Sequence, residues 1–136
     1  MPSASAPEFF IDRSLGRRVV PEALRAAGAS VVTMADAYGE RVGQGLSDEE
    51  WLRDSGTNGW VVLMKDAKVR YRPAQLEAVR RFEVRAFCLA NANLRGVDQA
   101  ARLTANLDRI VRASAQPGPY IYGVYADAIR RLWPRL

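Results

Sequence analysis

No histidine occurs in this 136-residue chain, and that absence removes several chemistries at once. A Ser-His-Asp or Cys-His arrangement, an imidazole zinc site and a histidine general base are all excluded. Cysteine is nearly as scarce. Cys88 stands alone in the apolar run RAFCLA, without a second thiol for a disulfide or a thiolate metal site, and reads as core packing. The glycines Gly28, Gly39, Gly43 and Gly45 match neither GxGxxG nor GxxxxGKS/T, so a dinucleotide or P-loop reading fails. No run approaches the roughly 20 apolar residues of a membrane span. The opening MPSASAP lacks the charged start and apolar stretch of a signal peptide. A cytoplasmic protein is expected, with residues 1–7 as a flexible tail and residues 8–136 as one domain.

Lysine is confined to Lys65 and Lys68, so the formal net charge of +5 comes almost wholly from arginine. The planar guanidinium grips phosphate with two donors at once, which favours a nucleic-acid partner. Genomic base composition that prefers arginine codons explains the same excess, and composition alone leaves both readings open. With 49% apolar residues the chain has enough to build a single core.

The apolar runs are short and evenly spread. Glu8 to Asp12 (EFFID) predicts a buried strand, because consecutive apolar residues suit a strand covered on both faces. Pro21 suits the first turn of a helix over PEALRAAG, stopped by Gly28. Ser30 to Met34 predicts a second strand, followed by a glycine-rich irregular loop from Asp36 to Gly45. Ser47 and Glu50 form a capping box at a helix start and place Asp48 in its first turn. Gly59 to Asp66 is the clearest buried strand. Arg72 and Pro73 open a further helix, Arg85 to Ala90 a fourth strand, and Gly96 to Ala115 one long amphipathic helix. Tyr120 to Ala126 predicts a last strand, against which DAIRRLW pairs back as a hairpin or forms a terminal helix, the hairpin being favoured. The alternation implies an α/β fold: a mostly parallel sheet of about five strands with helices on both faces. Trp51 and Trp60 are expected in the core, whereas Tyr120, Tyr122, Tyr125 and Trp133 suggest a half-exposed, protein-binding edge.

Within this frame Asp12 closes the first strand, Asp48 opens a helix and Asp66 closes the third strand. In an open parallel sheet such positions face the crevice at the carboxyl ends of the strands. Carboxylates gathered there repel one another unless a cation neutralises them, and hard oxygen donors suit Mg²⁺ or Mn²⁺. Dipole complementarity at a helix start is a sufficient structural explanation for Asp48 and Glu49 taken singly.

FFIDRSLG, SDEEWL and WVVLMKDAKVRYRP in this order resemble the PIN-like family, in particular the small PIN-like proteins related to VapC toxins of toxin–antitoxin modules. The resemblance covers about residues 8 to 126. It implies a single-domain PIN-like fold and a Mg²⁺- or Mn²⁺-dependent ribonuclease, with Asp12, Asp48 and Asp66 as catalytic and metal-binding acids. A fourth ligand is expected at Asp36, with Glu40 and Glu49 as competitors. The implied reaction is in-line attack by water on an RNA phosphodiester, assisted by the bound cation. Asp66-Ala67-Lys68-Val69 departs from the commoner D-x-D-F, and Lys68 in place of a second acid puts a second ion in doubt. Arg13, Arg17, Lys65, Lys68, Arg70 and Arg72 flank the acids and are the expected RNA-binding residues, since the acids alone would repel the backbone. Taken singly, each is also an ordinary solvated charge.

The expected partners are RNA, a cognate antitoxin and a second copy of the chain. A catalytically silent PIN-like module that binds RNA or protein is the alternative. A receiver-type signalling domain is disfavoured because its first strand would have to supply a pair of acids, whereas this one supplies Asp12 alone.

Overall fold

Strands made of consecutive apolar residues must be covered on both faces, and the sheet of this protein is built that way. The computed structural model describes residues 6–91 and 93–135. Most of the expected amino-terminal tail, residues 1–5, lies outside the described residues. Strands β1 (Glu8–Ile11), β2 (Ser30–Thr33), β3 (Val61–Met64), β4 (Arg85–Leu89) and β5 (Tyr120–Val124) pair in parallel in the order β2-β1-β3-β4-β5. A sixth strand, β6 (Ile129–Trp133), returns antiparallel on β5. This is the hairpin expected of DAIRRLW, and it makes six strands rather than about five.

Alternate residues of each strand enter two separate cores. On one face Phe9, Ile11, Leu63, Phe87 and Leu89 pack under α1 (Val19–Ala26), α6 (Gly96–Ala105) and α7 (Leu107–Ala113), which contribute Leu24, Leu103 and Ile110. On the other, Phe10, Val62, Met64 and Cys88 pack under α4 (Asp48–Asn58) and α5 (Pro73–Arg81), with Trp51, Leu52 and Val79. Trp51 is fully buried and stacks on Phe10 with ring centroids 5.4 Å apart. Burying side chains of this size contributes about 1.5–3 kcal/mol each. Trp60 stacks on the same Phe10 at 5.2 Å, and its indole N–H donates to Glu8 at 3.0 Å.

Four expectations change. The expected loop from Asp36 to Gly45 lies instead in two short helices, α2 (Met34–Tyr38) and α3 (Glu40–Gly45), the first opened by Met34, which was expected to end the second strand. A capping box between Thr33 and Asp36 starts the first, and Gly39 at φ 79° separates them. The long helix after Gly96 breaks at Asn106, whose buried amide donates to the Tyr125 carbonyl at 2.8 Å and ties the break to the end of β5. Helix α1 begins two residues before Pro21. Tyr120 is fully buried, so the partly exposed aromatics at the β5–β6 edge are Tyr122, Tyr125 and Trp133.

Among the described residues no helix is long and apolar enough to cross a membrane.

Candidate carboxylate site

The chain runs from β1 outward to β2, then crosses back to place β3 on the other side of β1. The order therefore reverses between β1 and β3, and loops at the carboxyl ends of these strands part to leave a crevice. A cleft of about 520 Å³ lies there, lined by Asp12, Asp48 and Asp66 together with Arg13, Ser14, Lys65, Arg72 and Asn93.

Asp12 follows β1 directly, and its backbone N–H continues the ladder to the Leu63 carbonyl at 3.0 Å. The residue is only 8% exposed, and its carboxylate accepts a 2.5 Å hydrogen bond from the Ser14 hydroxyl. Burial pushes this carboxyl above its usual range; the Ser14 bond opposes the shift, the Asp48 charge adds to it and Arg13 counters it. A carboxylate in this position favours whatever places positive charge beside it.

Asp48 is the first residue of α4, and the start of that helix is fixed by reciprocal bonds between Ser47 and Glu50. Both of its oxygens have side-chain donors: the Trp51 indole to Oδ1 at 3.0 Å and the Gln75 amide to Oδ2 at 2.9 Å. Asp66 stands two residues beyond β3. Its Oδ1 accepts the Lys68 backbone N–H at 2.8 Å and caps the 3₁₀ turn over residues 67–71.

The expected fourth acid is not in the cleft. Asp36 closes the Thr33 capping box and pairs with Arg25 at 2.9 Å, and these bonds hold its carboxyl below the usual range. Glu40 pairs with Arg17 at 2.6 Å, and Glu49 does not line the cleft either. Asn93, which has no counterpart among the expected ligands, contributes to the cleft wall instead.

The basic residues also separate. Lys65 and Arg72 line the cleft. Arg13 does too, but its guanidinium donates to the carbonyls of Gly43, Gln44 and Leu46 at 2.8–3.1 Å, fastening the end of α3 and the approach to α4 against the β1 end. Arg17 is engaged by Glu40. The Arg70 guanidinium lies 4.6 Å from the centre of the Tyr71 ring, and neither Arg70 nor Lys68 lines the cleft. A neighbouring cavity of about 290 Å³ shares Arg13 as a wall, and the one acid lining it is the already paired Glu40.

Three cleft or near-cleft polar residues, Ser14, Gln75 and Asn93, were not expected. The i, i+2 spacing of Asp12 and Ser14 is a local hydrogen-bonding signal. Gln75 is 27 residues from its partner and has no such signal.

The donors fit a hard divalent cation. They are carboxylate, hydroxyl and amide oxygens, one acid is buried with a single neutral side-chain donor, and histidine and thiolate ligands are absent from the wall. Among the described residues no three acidic, histidine or cysteine side chains form a ready-made ion cage. Mg²⁺ usually keeps several waters beside one or two direct carboxylates, so a cation in this cleft would meet some of the three acids directly and the others through water.

No solved structure matches the chain. A Mycobacterium tuberculosis (strain ATCC 25618 / H37Rv) protein named "Putative ribonuclease VapC45" is 38% identical over 129 residues, which is 95% of this chain and 94% of that protein. The family model described as "PIN like domain" matches residues 7–91. That stretch contains β1 through β4 and all three cleft acids, and on this match the chain belongs to the PIN-like domain family.

Proposed function

We propose that this protein is a divalent-cation-dependent endoribonuclease of the toxin type, acting in the cytoplasm. The observation that carries the reading is the gathering of Asp12, Asp48 and Asp66 in one cleft at the strand-order reversal, beside Lys65 and Arg72. The ribonuclease name of the relative that aligns with almost the whole chain supports it.

In this reading Asp12, Asp48 and Asp66 hold Mg²⁺ or Mn²⁺. A cation held there would supply a lower pKa to a nearby water and positive charge opposite the scissile phosphate. Asp12 contributes a buried, poorly compensated negative charge, and Ser14 keeps its carboxylate from rotating. Lys65 and Arg72 draw the RNA backbone over the acids, which would otherwise repel it. Arg13, bound to the Leu46 carbonyl and 3.8 Å from Asp48 Oδ1, keeps the start of α4 beside the end of β1. The expected partners are an antitoxin protein and a second copy of the chain, for which the β5–β6 edge, carrying Tyr122, Tyr125 and exposed Arg130 and Arg131, offers a surface.

Water as the nucleophile separates this mechanism from attack by the neighbouring 2′-hydroxyl. RNA carrying 2′-O-methyl groups should still be cut in Mn²⁺ or Mg²⁺, without a cyclic phosphate product, and should remain intact in EDTA. Cleavage of unmodified RNA in excess EDTA would overturn the reading. No cleavage of any RNA with any divalent cation would favour the silent module, for which Lys68 at the place of a second acid speaks.

Arg72→Ala should weaken RNA binding several-fold and reduce the slope of log affinity against log salt by roughly one, with Mn²⁺ affinity unchanged. Filter binding in EDTA at several salt concentrations measures this.

A further inference from the structure

We infer that Gln75 is a positioning residue for Asp48, one side of a clamp whose other side is Trp51. The inference rests on the proposed function in so far as Asp48 acts on a cation. A carboxylate in the first turn of a helix can rotate freely and satisfy itself with nearby backbone amides. Asp48 instead has one side-chain donor on each oxygen, the Trp51 indole on Oδ1 at 3.0 Å and the Gln75 amide on Oδ2 at 2.9 Å. The indole is fully buried and stacked on Phe10, so it cannot follow a turning carboxylate. Gln75 comes from α5 and fixes the second oxygen from a different element. Together they set the plane of the carboxylate and leave its remaining lone pairs toward the cleft that Asp48 lines.

The other end of the Gln75 amide shows what this arrangement serves. Among the described residues its Oε1 is buried and has no hydrogen-bond partner. Turning the amide over would set that oxygen against the Asp48 carboxylate, an acceptor facing an acceptor, so the orientation is dictated by Asp48. A buried unmatched acceptor is unfavourable for folding, and an apolar side chain of similar length would avoid it. The Asp48 side chain is 31% exposed, so water can replace the lost donor on the acid. Glutamine here therefore supports the position of Asp48 at some expense to stability, which is the pattern of a functional contact.

A purely structural contact and a positioning contact predict opposite results for Gln75→Met. Positioning predicts that the metal-free variant melts no lower than wild type. Its Mn²⁺ dissociation constant, measured by calorimetry without RNA, should rise about 10- to 100-fold, the usual effect of losing a ligand-orienting partner. The kcat for RNA cleavage should fall by a similar factor with KM little changed. Gln75→Leu, which likewise removes the donor without adding charge, should lose a similar share of Mn²⁺ affinity and provides a second variant. Wild-type Mn²⁺ affinity in both variants would overturn the clamp alone. A melting temperature reduced in Gln75→Met with Mn²⁺ affinity intact would make the contact structural and overturn it too. A wild-type protein that binds no Mn²⁺ would overturn the proposed function and the clamp together.

Discussion

Asp66→Asn should leave a folded protein that cleaves RNA about a thousandfold more slowly, the scale of removing one preorganised charged group from an active site. The substitution is informative because it separates two roles of one side chain. Asp66 caps the turn over residues 67–71 by accepting the Lys68 backbone N–H at 2.8 Å. Asparagine has the same shape and keeps an oxygen for that bond, so the turn survives and only the negative charge is lost. Single-turnover cleavage, with a melting curve as the control for folding, measures the effect. Cleavage within a few-fold of wild type in a protein of unchanged stability would remove Asp66 from the site.

Asp12→Asn should separate stability from function in the opposite sense. Burial and the facing Asp48 charge disfavour the ionised form of Asp12 in the folded state, so a neutral isostere relieves desolvation and repulsion. Metal-free Asp12→Asn should therefore melt at or above the wild-type temperature. Wild type, by contrast, should gain stability as Mn²⁺ is added: a ligand specific for the folded state contributes about 2.7 kcal/mol at a hundredfold excess over its dissociation constant. For a domain of this size that corresponds to a rise of very roughly 10 °C. In Asp12→Asn most of that rise should disappear, and RNA cleavage with it. Equal Mn²⁺ responses in the two proteins would exclude Asp12 as a ligand, and a marked fall in the metal-free melting temperature would show that its role is structural.

Much of the fold is legible in the sequence because the strands are short and wholly apolar. VVLM and FFI have no amphipathic alternation to confuse with a helix, and Ser47 and Glu50 mark the start of α4 without ambiguity. The parallel pairing follows from the alternation of strands and helices, whereas the strand order and its reversal beside β1 are set by tertiary packing. The segment from Met34 to Gly45 was less legible, since glycines suggested a loop while the decisive signal was the reciprocal bonding of Thr33 and Asp36. The same bonding explains why Asp36, expected as a ligand, stands outside the cleft. Asn106 concealed the break between α6 and α7 because its amide bonds to carbonyls 19 and 20 residues away.

The placement of Asp12, Asp48 and Asp66 in one cleft follows from where each falls relative to its strand or helix. Their supporting groups are harder to foresee. Arg13 looked like an RNA-binding charge beside an acid, but its guanidinium geometry matches three carbonyls more than 29 residues away. Gln75 and Asn93 reach the site through tertiary packing alone. Side chains whose partners lie on other elements leave no spacing in the chain from which to read them.

The most direct measurement is a crystal structure grown with Mn²⁺ in excess, with anomalous data collected to locate the ion. The expected result is an anomalous peak in the cleft, within coordination distance, about 2.0–2.6 Å, of oxygens from at least two of Asp12, Asp48 and Asp66. The contrary result is a cleft in which these carboxylates bind no Mn²⁺ at saturating concentration, or a peak held by residues elsewhere on the molecule.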